Sequence, residues 1–386
     1  MKKSILVCGS LAQKPYQGGH TWVFLQYLLG LRKLGWDVLF LDQLEREMCV
    51  GCDGKPCSVD DSVNLRYFLR IMDDFDLKGH YALLCDRGTW EIGVNRQAIL
   101  ERSSRAALLL NIMGFLRDEE ILGRSQKRVF LDIDPGFGQM WQELGLHAAL
   151  TGHDCYVTIG QNIGRPECGI PTCGLSWITT PQPVVLDLWP YTESNHSLSF
   201  TTIASWRGAY GPIQMGGKTY GLRVHEFRRY AALPLATGER FELALNIHSA
   251  DHADRRLLEA NGWILVDPRE AAGDPWRYRS YIQSSGVEFM VAKNMYVETN
   301  SGWFSDRSIC YLASGKPVLT QNTGTNGIYP CGRGLVTFSS IEEAVSGVQE
   351  IRRNYRGHSQ AARELALEYF DSNKVLSCLL KKLDVL

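Results

Sequence analysis

Short apolar runs recur along almost the whole chain, each closed by Gly, Asp or Pro and each followed by a stretch with helical spacing. Residues 4–8 form the first run, and Gly9 closes it. A strand covered on both faces reads as such an unbroken run. Beyond the loop GSLAQKPYQGGH, residues 21–34 place Trp22, Leu25 and Leu29, with Phe24, Leu28 and Leu31, on helical repeats. Gly35 ends that helix, and residues 38–41 start a strand that closes at Asp42. The same alternation predicts strands over 81–85, 105–113, 129–134 and 156–159, with helices over 64–72, 95–100 and 141–150 between them. A loop rich in Gly, Pro, Cys and Thr over 164–183 and a polar, linker-like stretch over 192–199 interrupt it. The pattern resumes with strands at 200–205, 241–247, 264–266, 288–292 and 334–338. Helices are expected at 223–233, 253–260, 274–284, 340–354 and 358–370. Strands alternating with helices in this way build doubly wound parallel sheets. The expected fold is α/β: two Rossmann-like domains facing each other across a cleft, over 1–190 and 200–370. A helix over 371–386 follows, and whether it crosses back to the first domain is left open.

Residues 301–324, SGWFSDRSICYLASGKPVLTQNTG, hold the densest candidate chemistry. Ser305 can N-cap a helix whose first turn carries Asp306 and Arg307. Ile309, Leu312 and Ala313 give it an apolar side, Gly315 stops it, and Pro317-Val318-Leu319 begins a strand. A helix N-terminus at the ligand edge of a sheet offers free N–H groups and the positive end of its dipole, which suit a diphosphate. An ordinary helix-strand unit without a ligand has the same spacing. In the run VFLDID, Asp132 and Asp134 fall on one face of the expected strand. They can line a cleft, hold a divalent ion or cap a turn. Neither half shows G-x-G-x-x-G, which sets a nicotinamide-dependent dehydrogenase aside.

The totals narrow the function classes. With 386 residues, 45% of them hydrophobic, and a formal net charge of -1, the chain suits two globular domains. It carries no global pull toward nucleic acid or an anionic membrane. No secretory leader or membrane span is visible, so a cytoplasmic protein is expected. Of the 11 cysteines, Cys8, Cys85 and Cys310 stand in apolar contexts and read as small buried hydrophobes. Cys49, Cys52 and Cys57 cluster in the loop over 46–62 without a second ligand pair at zinc spacing, so no metal is assigned.

Two segments resemble one family. Gly18-Gly19-His20 through Gly35-Trp36-Asp37-Val38 is similar to the opening of GT-B-fold glycosyltransferases. Ala313-Ser314-Gly315-Lys316-Pro317-Val318, with Thr323-Gly324, Gly334-Leu335-Val336 and Ile341-Glu342-Glu343-Ala344, resembles the donor domain of the glycogen synthase-like and sucrose synthase-like retaining group. The resemblance implies a nucleoside diphosphate sugar held by the second domain and a small-molecule or glycan acceptor held by the first. It implies no cofactor beyond that co-substrate, and the near-zero net charge implies no nucleic-acid partner. In the family an Arg and a Lys after the first donor-domain strand neutralise the diphosphate, and Arg207 and Lys218 stand in that region. Ser305, Arg307, Thr323, Gly324 and Gly19 join them as diphosphate candidates. The family's ribose-binding Glu falls on Cys310 here, so Asp306, one turn earlier, is the substitute. Glu298 is the other acidic candidate, and Trp303 or Phe304 can stack on base or sugar or pack in the core. His20, next to Gly-Gly, can act as a base or make a structural hydrogen bond, and Asp134 is the second candidate base.

The resemblance thus implies metal-independent transfer of a sugar to a hydroxylated acceptor; whether configuration is retained or inverted is not legible. A sugar-nucleotide epimerase or hydrolase of the same architecture, and a non-catalytic nucleotide-sugar binder, are the other readings. Cys310 in place of Glu favours the last. Acceptor, base and oligomeric state are not legible.

Overall fold

The computed structural model describes residues 3–148, 150–193, 198–208 and 210–386. Part of the polar stretch expected over 192–199 lies outside the described residues. Eight strands form the first sheet: β1 (Ser4–Gly9), β2 (Asp37–Leu44), β3 (Tyr81–Cys85), β4 (Trp90–Gly93), β5 (Leu108–Ile112), β6 (Arg128–Asp132), β7 (Cys155–Thr158) and β8 (Trp177–Thr179), in the order β4-β3-β2-β1-β5-β6-β7-β8. All pairs are parallel except β3–β4. In the second half come β9 (Ser199–Ser205), the hairpin β10 (Ile213–Met215) and β11 (Lys218–Tyr220), then β12 (Arg240–Asn246), β13 (Trp263–Val266), β14 (Val287–Met290), β15 (Val318–Gln321) and β16 (Leu335–Phe338). Its main sheet is parallel throughout, in the order β13-β12-β9-β14-β15-β16.

The apolar runs become central strands because both faces of each sheet are covered. Ile5, Leu6, Val7 and Cys8 are all fully buried. Phe200, Phe241, Phe289 and Phe338 come from β9, β12, β14 and β16 and pack in one cluster with Trp263. Side chains of this size contribute roughly 1.5–3 kcal/mol each on full burial.

Where the elements depart from expectation, glycine and proline explain most of it. The helix expected over 141–150 instead spans Phe137–Glu143. Gly136 starts it at φ +108 and Gly145 follows it at φ +66. The helix expected over 223–233 breaks into Arg223–Arg228 and Leu233–Thr237, and Pro234 sits in the first turn of the second piece. The loop after β9 contains the β10–β11 hairpin, turned at Gly216-Gly217 with positive φ at both. β6 ends at Asp132, so Asp132 and Asp134 are not alternate residues of one strand.

The halves are pinned together by the helix Gly18–Lys33 of the first, here called the Gly18 helix, and the helix Pro275–Ser284 of the second. Trp22 donates its indole N–H to the Pro275 carbonyl across the join (2.8 Å). A side chain at Gly18 would begin 2.3 Å from the Asp274 carbonyl oxygen, and one at Gly19 would begin 2.9 Å from the Tyr278 ring. The Gly-Gly pair therefore lets two backbones meet, a packing role as much as a ligand one. The last helix, Ser372–Lys382, lies on the first half, where Leu376, Leu379, Leu380 and Leu383 pack against Ile5, Leu31, Leu108 and Leu110. Among the described residues no helix is long and apolar enough to cross a membrane.

Candidate active site between the two sheets

Between the sheets lies a cavity of about 730 Å³, in the range of small-molecule sites. Its second-half wall comes from the carboxyl ends of β9, β12 and β13, through Ser205, Asn246 and Val266. That is the edge where doubly wound sheets hold ligands. Its first-half wall is the loop 15–17 and the start of the Gly18 helix. Gln17 makes no side-chain cap there, so the leading N–H groups are not satisfied by a capping side chain.

Facing it is the helix Asp306–Ala313, the Asp306 helix, capped by Ser305, whose hydroxyl accepts from the Arg307 N–H (3.2 Å). Asp306 and Arg307 both line the cavity. Arg307 donates Nε–H to Glu288 Oε1 (2.5 Å) and Nη1–H to the Ile203 carbonyl (2.6 Å). Glu288 is fully buried on β14, and burial pushes its carboxyl up against the opposing pull of Arg307. Burial works against the Arg307 charge too, but the Glu288 carboxylate outweighs it and holds the guanidinium firmly protonated. Burial also raises Asp306, with Arg307 opposing.

His20 lines the cavity and sends Nε2 to the Ser10 carbonyl oxygen (3.0 Å). A carbonyl only accepts, so Nε2 carries the proton and Nδ1 is left with a lone pair. Burial, then the nearby Lys14, pushes His20 down to about 3, so the ring is neutral at physiological pH. The structural hydrogen bond thus leaves Nδ1 able to accept a hydrogen bond, while burial makes the ring a weak base.

Asp134 is committed elsewhere. Both carboxylate oxygens accept from Lys293 Nζ (2.9 and 2.8 Å), and the Tyr296 hydroxyl donates to the same group. Lys293 and Tyr296 follow β14, so this cluster bridges the halves. Asp132 is buried, accepts from Gln139 (2.7 Å) and Thr158 (2.8 Å), and is pushed up to about 6 by burial. The two aspartates therefore form no paired ion site. Among the described residues no group of three or more His, Cys, Asp or Glu side chains is gathered for a metal, the cysteines of 46–62 included.

Several sequence candidates fall outside the cavity wall. Arg207 makes a bidentate pair with Asp251 (3.0 and 2.5 Å) and is half-exposed. Lys218, drawn away on the hairpin, pairs with Glu298 (3.2 Å) at the surface. Trp303 stacks on Tyr296 (4.2 Å) and Phe304 on Phe370 (5.4 Å), both buried in the core. Thr323 donates its hydroxyl to the Trp303 carbonyl. Gly324, at φ +89, lies against Asn300 and Asn162, where a side chain would begin 2.2 Å from Asn300 Oδ1. These last residues pack the join between halves instead of facing ligand space.

Other residues do face it. Arg255, Asp267, Arg269 and Tyr278 line the cavity. Arg255 makes no ion pair among the described residues, and the Arg269 guanidinium sits over the Tyr16 ring (5.6 Å) across the cavity mouth. Arg223 does not line the cavity but stands behind its wall: it donates Nη1–H to the carbonyl of the lining residue Ser205 (3.1 Å), while its buried Nε finds no partner among the described residues. Burial, then repulsion from Arg307, brings it down to about 10. Asp267 and Lys293 stand just after β13 and β14, and the strand-end rule could have found them. Arg223 and Arg255 sit on helices and carry no such sign.

No protein-family model matches the sequence, and no curated protein matches it. Solved structures match over the full length. HepE of Anabaena in complex with UDP and glucose aligns with a TM-score of 0.62 at 11% identity, covering 100% of both chains. Alpha-glucosyltransferase in complex with UDP and a 13-mer DNA aligns at 0.58 and 11%, again over 100% of each. The sucrose-phosphate synthase of Thermosynechococcus elongatus aligns at 0.56 and 11%, over 99% of each. The chain has the GT-B fold. At this identity the likeness speaks for architecture alone.

Proposed function

We propose that the protein transfers a sugar from a nucleoside diphosphate sugar to a hydroxylated acceptor in the cleft between its two halves. One observation carries this reading. The uncapped start of the Gly18 helix and the start of the Asp306 helix face a single cavity at the strand ends of the second sheet, with the Arg307 guanidinium at its wall. Two amide ends and a fixed cation suit a leaving diphosphate, whose charge grows as the glycosidic bond breaks. Solved neighbours with the same fold carry UDP, or UDP-glucose in the case of HepE, which supports the donor class.

In this reading Arg307 holds the diphosphate, and Arg255 and Arg269 add positive potential along the cavity wall. No metal is needed for that charge. Asp306 accepts from donor hydroxyls, taking the place that Cys310 cannot fill. His20, neutral and with Nδ1 facing the cleft, accepts a hydrogen bond from a hydroxyl there. Its Nε2–H bond to Ser10 keeps the ring oriented.

Titration calorimetry with UDP, ADP, GDP and dTDP tests the proposal. One nucleotide should bind the native chain. Arg307→Lys keeps the charge opposite Glu288 but loses the planar fork, and should weaken binding about tenfold or more. Arg207→Ala should leave affinity unchanged, because Arg207 lies outside the cavity wall. If none of the nucleotides binds, or if Arg207→Ala and Arg307→Lys weaken binding equally, the donor site is misplaced.

A further inference from the structure

We propose that Cys49 and Cys57 form a reversible dithiol–disulfide couple that adjusts the first-half wall of the donor cavity. The loop over 46–62 closes a small antiparallel hairpin through the bridge Val50–Pro56. Its ladder bonds run from the Cys57 N–H to the Cys49 carbonyl (3.2 Å) and from the Gly51 N–H to the Lys55 carbonyl (2.8 Å). Cys49 and Cys57 are thus directly opposed residues, and such pairs place Cα atoms about 5.5 Å apart, inside the disulfide range. Residues 49 and 51 share one face of their strand. A side chain at Gly51 would begin 4.0 Å from Cys57 Sγ, so the Cys57 thiol lies on that same face, and the glycine leaves it room. Cys49 is fully buried and Cys57 partly exposed, so an oxidant reaches Cys57 and Cys49 resolves it.

The chemistry balances with a low-molecular-weight disulfide of the glutathione type as oxidant. The Cys57 thiolate attacks one sulfur of that disulfide and expels a thiolate. Cys49, deprotonated, then attacks Cys57 Sγ and expels the second. The protein loses two electrons and two protons, and the oxidant becomes two thiols.

The hairpin is wired to the cavity. The Val50 N–H donates to Asn64 Oδ1 (3.2 Å), and Asn64 Nδ2 donates to the Ala12 carbonyl (2.9 Å). Ala12 lies in the loop that supplies Pro15, Tyr16 and Gln17 to the cavity wall. Closing the Cys49–Cys57 bond rearranges the hairpin at Val50 and, through Asn64, that loop. The bond itself is independent of the donor-site reading; its effect on nucleotide affinity rests on that reading.

The test uses the full chain, reduced and then equilibrated with oxidised glutathione. Peptide mapping should show a Cys49–Cys57 cross-link that dithiothreitol removes, and Cys57→Ser should abolish it. Hydrogen exchange over residues 11–17 should change on oxidation in the native chain and not in the Cys57→Ser variant. The affinity for whichever nucleotide binds should fall about fivefold or more, the lower range of coupled sites. A cross-link from Cys57 to Cys52, thiols that stay free, or unchanged exchange over 11–17 would each overturn the proposal. Altered exchange with no nucleotide bound in either state would remove the donor reading and leave the couple standing.

Discussion

Arg307 and Glu288 set the energetics of the site at the level of single residues. The carboxylate is fully buried and the guanidinium nearly so. Breaking such a pair from one side leaves a charge without a partner. Arg307→Ala is therefore expected to destabilise the fold by about 3–5 kcal/mol, read by urea titration, besides losing nucleotide. Glu288→Gln with Arg307→Met should recover part of that stability and none of the binding. His20 gives a pH signature. Its value is about 3 in the folded chain against 6.5 for the free side chain, so between those values the unfolded state binds the extra proton. Stability then rises with pH across that window and is lost as pH falls through it, by at most roughly 1.4 kcal/mol per unit. A melting-temperature series from pH 7 to pH 4 should fall more steeply for the native chain than for His20→Gln. Equal slopes would mean that the imidazole is solvated and titrates normally.

At the level of elements, the two helix starts decide the cleft, and each depends on a small residue. Gly18→Ala puts a methyl group against the Asp274 carbonyl, where there is no room. Overpacking of this kind costs about 1–3 kcal/mol, and here it also pries the halves apart. Loss of nucleotide affinity together with a lowered melting temperature is the expected result. Ser305→Ala removes the cap of the Asp306 helix and should cost about 1 kcal/mol by chemical denaturation. Because that cap also aims the Asp306 and Arg307 backbone, nucleotide affinity should fall with it.

For the whole molecule, the bridge from Asp134 to Lys293 and Tyr296 is a charged clasp between the halves. Replacing Asp134 by Asn removes the charge but keeps a hydrogen-bond acceptor. Its scattering profile should shift toward a larger radius of gyration in the absence of nucleotide. Saturating nucleotide should narrow the difference, since a ligand touching both walls favours closure. An unchanged radius with lost turnover would instead make Asp134 a reacting group.

The repeating strand–helix alternation was written in the sequence, because a strand covered on both faces must be apolar throughout and a helix on a sheet must carry an apolar stripe. Val318-Leu319 and Ile5-Leu6-Val7 could hardly be anything else. The start of the Asp306 helix was legible for a similar reason, since Ser305, Gly315 and Pro317 act on their own neighbours. The partners of the charged side chains were not legible. Arg207 could not be known to spend its fork on Asp251, nor Lys218 to be carried off by a Gly-Gly hairpin to Glu298, because those carboxylates lie 44 and 80 residues away. Which cation reaches the cavity is a property of three-dimensional placement, while the alternation of polar and apolar positions is local. The chain by itself therefore determined two layered sheets and the helix that faces the cleft, and only the folded structure decided which arginines remain to fill it.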